Sequence, residues 1–246
     1  MNIDNNYIYI YGHFPVREAL LNNRPARIIY FGGRVGYWKE KLFKIAKTRG
    51  IKVIKTERKL LDRLVGCNSH QGVVALVKGY SYSTPQKLWS RCGPVVVLNS
   101  IEDPRNLGAI LRTIESVKGA GVVLPARCAV KITASVVKAS AGAVEYVPIV
   151  KVDKLSLFLS CLKQRGYQVA AFTSEAKTPY FDVKFKEKIA LLFGGEGKGL
   201  NKELLKSSDL ILNIPQEGKI TSLNLSVAVA LGLYEVVRQQ KLQNKI

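Results

Sequence analysis

The stretch PVVVLNSIEDPRNLGAILRT, residues 94–113, decides the fold. Val95, Val96, Val97 and Leu98 run without a polar residue between them, the pattern of a short strand buried on both faces. Asp103 or Asn106 then offers a side-chain oxygen that caps free backbone N–H groups. The helix that follows places Ile110, Leu111 and Ile114 on one buried face. A buried strand, a polar loop and a helix make half of a parallel crossover unit. Moving outward, the same alternation recurs. Strands are expected at 94–98, 121–124, 168–172, 189–193 and 210–214. Helices are expected at about 107–118, 134–141, 154–165 and 200–207, with a final one from 223 to 240. The expected class is α/β, a mostly parallel sheet covered on both faces.

Upstream, residues 7–78 form a smaller α/β pattern. It has helices at 15–22 and 38–49 and strands at 27–31, 53–55 and 72–77. The following segment, GYSYSTPQKLWSR (79–91), mixes Gly, Ser, Thr and Pro and is expected as a linker. The expected organisation is therefore a domain over 1–78, a linker over 79–90 and a second domain over 91–246.

The chain has 246 residues with 38 Lys+Arg against 18 Asp+Glu, a formal net charge of +20. Its 47% hydrophobic content excludes disorder as the origin of that charge. No apolar run of about 18 residues is present, so a membrane span is not expected. The first residues show no basic segment followed by an apolar one, so no signal peptide is expected, and four scattered cysteines read as free thiols of a reducing cytosol, so a cytoplasmic location is expected. A folded basic protein points to a polyanion partner. Residues 1–90 hold 16 Lys+Arg and 5 Asp+Glu, a net of +11, which suits an RNA-gripping role for the first domain, with a solvated basic surface as the alternative. Cys67, Cys92, Cys128 and Cys161 are scattered without a C-x-x-C pair, and only His13 and His70 exist. No metal site is expected, and neither histidine falls among the motifs described next.

Three loops carry candidate chemistry. The first contains Asn99, Asp103, Asn106, Gly108 and Arg112; an ordinary capped helix with a surface arginine explains it equally well. The second, Gly194-Gly195-Glu196-Gly197-Lys198-Gly199, lacks a phosphate-binding pattern, and Glu196 opposes an anion. The third runs from Ile214-Pro215 through Gly218 to Thr221-Ser222-Leu223-Asn224-Leu225-Ser226. Capping of the next helix accounts for one of Ser222, Asn224 and Ser226 better than for all three.

Together, in order and spacing, these segments resemble the SpoU/TrmH family of the SPOUT superfamily, RNA ribose 2′-O-methyltransferases. Its pattern is N-x-x-x-D-P-x-N-x-G-x-x-x-R, then G-x-E-G-x-G, then I-P and S-S-L-N-x-S. The resemblance covers about residues 91–240, including Val136–Val144 as the family's middle region. Thr221 stands where the family often has Ser, and Val117–Gly121 looks longer than usual. Residues 7–78 look like the ribosomal-protein-like domain of the RlmB-type enzymes of large-subunit rRNA, whose usual target is a guanosine.

The resemblance implies a C-terminal chain threaded through a trefoil knot, an exception to the unknotted rule, and a homodimer through the knot region. It implies S-adenosylmethionine as cofactor, held by Thr173, Gly194, Gly195, Gly197, Ile214, Gly218 and Leu223. It assigns Asn106, Arg112, Glu196, Ser222 and Asn224 to catalysis. The reaction is an in-line methyl transfer from a sulfonium to a ribose 2′-oxygen, so the protein mainly aligns the oxygen and manages its proton. An unprotonated arginine costs about 7 kcal/mol at neutral pH. Arg112 is therefore read as a fixed cation on phosphate and developing alkoxide, with Asn106 orienting the ribose. Asn224 and Ser222 are read as holding Arg112 and the reacting groups, and Glu196 as orienting its loop or accepting the proton. Competing readings are a tRNA ribose methyltransferase, a drug-resistance methyltransferase on a neighbouring rRNA site, and a non-enzymatic assembly factor that binds no cofactor.

Overall fold

The computed structural model describes residues 6–33, 36–127, 129–195, 199–219 and 222–243. They divide into two compact units, Met1–Ser81 with Ile132–Tyr146, and Tyr82–Lys131 with Val147–Ile246.

The first unit is built on four strands, β1 (Tyr7–Tyr11), β2 (Ala26–Gly32), β3 (Lys52–Thr56) and β4 (Val73–Lys78), in the order β1-β4-β2-β3. β4 is antiparallel to both neighbours, and β2 and β3 are parallel. Helices α1 (His13–Leu21), α2 (Tyr37–Thr48) and α3 (Arg58–Val65) surround a core that includes Val16, Leu20, Ile29, Leu42 and Leu61. His70 is fully buried, with Nε2 2.9 Å from Asp62 Oδ1 and Nδ1 accepting the Gly72 N–H. Both ring nitrogens thus serve to join α3 to the turn before β4.

The second unit contains α4 (Pro85–Trp89), β5 (Val95–Leu98), α5 (Pro104–Ser116), β6 (Gly121–Pro125), β7 (Ile149–Val152), α7 (Leu155–Gln164), β8 (Gln168–Phe172), β9 (Thr178–Pro179), β10 (Ile189–Phe193), α8 (Lys202–Lys206), β11 (Leu210–Asn213) and α9 (Leu225–Gln243). Its sheet has the order β7-β6-β5-β10-β8-β11-β9, and every pairing is parallel. Val95–Leu98 and Ile189–Phe193 are buried along their whole length, as their unbroken apolar sequences require. α5 starts at Pro104 rather than 107. Asp103 is its cap, accepting the Arg105 N–H at 2.7 Å, and proline fits the first helical position because no partner awaits its missing N–H.

Two boundaries differ from expectation. Residues 79–90 are not a free linker, because from Tyr82 the chain is part of the second unit. Leu88 of α4 is fully buried there, and Trp89 stacks on Phe158 with centroids 5.5 Å apart. Ile132–Tyr146, expected inside the 91–246 domain, packs into the first unit through α6 (Ala134–Ala139) and a 3-10 turn (Ala143–Glu145). Arg24 Nη1 donates to Glu145 Oε1 at 2.6 Å, both side chains being buried, and Tyr146 Oη donates to Glu18 Oε2 at 2.6 Å. Removing one member of such a buried pair strands the other charge, which holds the segment in place.

Asp209 pins β11 beside β8: Oδ2 accepts the Val169 N–H at 2.8 Å, and Oδ1 lies 2.8 Å from Lys163 Nζ. Burial raises its carboxyl, but the Lys163 ammonium and the Val169 N–H outweigh that and hold it below the usual carboxylate range. With the native titration below the unfolded one, the stabilisation is complete above the unfolded value and is lost as pH falls through the native one. Asp209→Asn is expected to cost about 1 kcal/mol at neutral pH. Denaturant titrations should show this deficit closing on acidification through the carboxylate range.

Candidate active site

The carboxyl ends of β8, β10 and β11 open into a cavity of about 450 Å³. In parallel α/β sheets ligands bind outside the carboxyl ends, where the strand order reverses. Here the chain builds outward from β5 through β6 and β7 in one direction, then crosses to β8 on the other side. Phe172 and Phe193, the last residues of β8 and β10, stack 4.5 Å apart as part of the cavity wall. α9 closes on them because residue 232 is glycine; a Cβ there would lie 3.1 Å from Phe193 Cζ and 3.2 Å from Phe172 Cζ.

The glycine loop is shaped by its own closure. Gly195 and Gly199 face each other in a bridge, with the Gly199 N–H reaching the Gly195 carbonyl at 3.3 Å. A Cβ on Gly195 would stand 2.5 Å from Ser100 Cβ, and one on Gly194 would stand 2.6 Å from Gly199 Cα. Chain crossing chain therefore demands these glycines before any ligand is considered. Asn99, at the end of β5, fastens the loop: its N–H donates to the Phe193 carbonyl at 2.9 Å and its Nδ2 to the Gly199 carbonyl at 3.2 Å.

A side-chain bond joins the first and third motifs. Asn224 Nδ2 donates to Asn106 Oδ1 at 2.9 Å across 118 residues of sequence. Asn106 is buried, and of the two residues that could cap α5 it is Asp103 that does so. Asn224 Oδ1 accepts from the N–H and hydroxyl of Ser226 at 2.9 and 2.6 Å, which caps α9. Ser222 is exposed and lines the cavity. Arg112 is exposed on α5, and among the described residues no hydrogen bond joins it to Asn224 or Ser222. The side-chain bond that Asn224 makes to the first motif is to Asn106.

Of the expected cofactor residues, Thr173, Gly194, Gly195, Ile214 and Leu223 line the cavity. Gly218 does not; it is exposed, with open space where a Cβ would stand. Glu196 and Gly197 lie outside the described residues. The lining also includes Phe172, Ser174, Phe193 and Gln216, which the motif pattern does not single out. The signal for the two phenylalanines was their place at the ends of apolar strands that precede polar loops.

The chain matches the SpoU rRNA Methylase family model over residues 93–234. This chain belongs to the SpoU family. Residues 9–83 match a second family model, RNA 2′-O ribose methyltransferase substrate binding. Among relatives of this SpoU chain, the TrmH family tRNA/rRNA methyltransferase YacO of Bacillus subtilis is 35% identical, covering 94% of this chain and 96% of its own. The SpoU methyltransferase AviRb from Streptomyces viridochromogenes, solved with the cofactor AdoMet, has the same fold with a TM-score of 0.82 at 22% identity, covering 96% of this chain and 92% of that one. The A. aeolicus TrmH/SpoU tRNA modifying enzyme gives a TM-score of 0.57 at 27% identity, over 63% of this chain and 78% of that one.

Asn224→Ala removes a helix cap and one hydrogen bond to Asn106, an expected loss of about 2 kcal/mol. Unfolding of the single and double alanine variants at 106 and 224 should give a non-additive cycle with a coupling of about 1 kcal/mol. Gly195→Ala forces the loop away from Ser100 and should destabilise by about 1–3 kcal/mol in the same assay.

Proposed function

We propose that this chain transfers a methyl group from S-adenosylmethionine to a ribose 2′-hydroxyl of RNA, a guanosine in large-subunit rRNA. The observation that carries the reading is the Asn224–Asn106 bond. Together with the Asn99 contact to Gly199, it ties the first motif to the second and third, whose residues line one cavity.

The residues present suit the cofactor. A cavity of about 450 Å³ lies within the usual range for small ligands. Phe172, Phe193, Ile214, Leu223 and Leu225 offer apolar surface for a base, while Thr173, Ser174, Gln216 and Ser222 offer polar groups. Backbone at Gly194 and Gly195 is open to close approach on the cavity side. When bound, S-adenosylmethionine supplies an electrophilic methyl group on a positively charged sulfur. The chain's part is orientation and charge. Asn106, rigid through its bond to Asn224, orients the ribose, and Arg112, exposed on α5, binds the target phosphate and stabilises the developing alkoxide. Glu196 orients its loop or accepts the proton in the same reading.

A knotted path belongs to this proposal. β10 enters between β5 and β8, both earlier in the chain, and α9 then returns to pack against α5. A homodimer belongs to it too: Val227, Leu231 and Tyr234 form an exposed stripe at helical spacing along α9, which a second copy would cover. The rRNA substrate is favoured by the match of residues 9–83 to a substrate-binding family. In keeping with this, the tRNA enzyme of A. aeolicus aligns with only 63% of this chain. No helix among the described residues is long and apolar enough to cross a membrane.

Calorimetry with S-adenosylmethionine and methyl transfer to rRNA fragments and to tRNA test the reading. Binding, followed by a single methylated guanosine mapped on rRNA, is the expected result. A methylated tRNA with inert rRNA replaces the substrate, and absence of cofactor binding removes the enzyme altogether. Arg112→Ala is expected to lower turnover by at least about 100-fold without altering unfolding. Leu231→Asp should shift the protein to a monomer in sedimentation.

A further inference from the structure

The first unit carries a row of aromatic side chains that its core does not use. His13 and Phe14 open α1, and Tyr37 and Trp38 open α2. The His13 ring lies 4.8 Å from that of Phe14 and 4.5 Å from that of Trp38, with planes 33° and 38° apart. The buried faces of the two helices belong to other residues, Val16 and Leu20 in α1 and Leu42 and Ala46 in α2. Phe14 is 50% exposed and Tyr37 73% exposed. Large rings left in water gain nothing from the hydrophobic effect, and a contiguous group of them marks a binding surface.

The surroundings are cationic. Lys41 Nζ stands 4.5 Å over the Tyr37 ring, and Arg17 is exposed one turn beyond His13, its guanidinium 3.3 Å from Glu18. Lys39 backs this surface from within: its buried ammonium donates to the Gly32 carbonyl at 2.7 Å and lies 5.5 Å over the Trp38 ring. Burial, and then Arg17, hold His13 below its usual titration, so at neutral pH it presents a flat uncharged ring. The first 90 residues have a net charge of +11, complementary to a polyanion.

We propose that Phe14, His13, Trp38 and Tyr37 form a stacking platform for unpaired bases of the RNA substrate, with Arg17 and Lys41 on the neighbouring phosphates. The proposal rests on the reading of this unit as the RNA-binding part and adds which RNA it selects. Bases inside an A-form duplex are already stacked, and their edges lie in a deep narrow groove. Unpaired bases in loops and bulges can be laid on aromatic rings, and such stacking tolerates any sequence. The two kinds of contact differ in salt dependence. Lysine and arginine on phosphates release counterions, whereas a stacked ring does not.

The test compares a hairpin carrying an unpaired loop with a blunt duplex of equal length. Each is titrated against the full chain and against Phe14→Ala, Tyr37→Ala and the double variant, over a range of salt. Both positions are exposed, and unfolding midpoints verify that each variant folds. Each substitution should weaken the loop RNA about ten-fold, leave the slope of log affinity against log salt unchanged, and leave the duplex unaffected. Trp38 emission should be quenched by the loop RNA and not by the duplex, with Trp38→Phe identifying its share against Trp89. Unchanged loop affinity overturns the platform while leaving RNA binding by the unit intact. So does equal weakening of both RNAs, or a shift to a smaller assembly with loop affinity retained, which would give the face to a second copy. A wild-type chain that binds neither RNA overturns the underlying reading and the platform with it.

Discussion

Because every pairing in the seven-stranded sheet is parallel, the chain must leave the carboxyl end of each strand and cross back before the next begins. The loops after β5, β8, β10 and β11 therefore emerge on one side of the sheet. Asn99, Thr173, Gly194 and Ile214 stand at or just past those strand ends. Parallel pairing also buries both sheet faces, so the central strands carry no chemistry of their own. The site is left to backbone, amides and hydroxyls in the loops, and to the helices that begin there.

The polar groups of that site are tied to one another. Asn99 spends its side chain on the glycine loop, Asn224 on Asn106 and on the first turn of α9. A buried amide without a partner costs about 1–3 kcal/mol, so these links fix the motifs relative to one another as well as stabilising them. Neither histidine contributes. His70 is consumed by a structural contact with Asp62, and His13 lies in the aromatic row of the other unit. The proposed chemistry therefore uses neither imidazole.

Legibility followed burial. Val95–Leu98, Ile189–Phe193 and Gln168–Phe172 were readable because strands buried on both faces are nearly pure apolar runs. β7 was missed: it has four residues, includes Lys151 and gains its strand character only from pairing with β6. α3, with the sequence RKLLDRLV, buries Leu61 alone, too little for a periodic signal. β1, YIYIY, shows no alternation because most of its residues on either face stay half-exposed. Gly218 lies in the loop after β11, yet membership of a loop does not say which of its residues turns toward a cavity.

The order of motifs, the α/β class and the sign of the charge were determined by the sequence alone, since each rests on residue type and short-range spacing. Tertiary structure decided what depends on contacts between distant segments. It gave capping to Asp103 and left Asn106 for Asn224, carried Ile132–Tyr146 into the first unit through Glu145 and Arg24, and made Gly195 obligatory by running Ser100 past it. Contacts such as Arg24–Glu145 at 2.6 Å and Asn224–Asn106 at 2.9 Å leave no mark in local sequence, because any local pattern is compatible with many long-range partners.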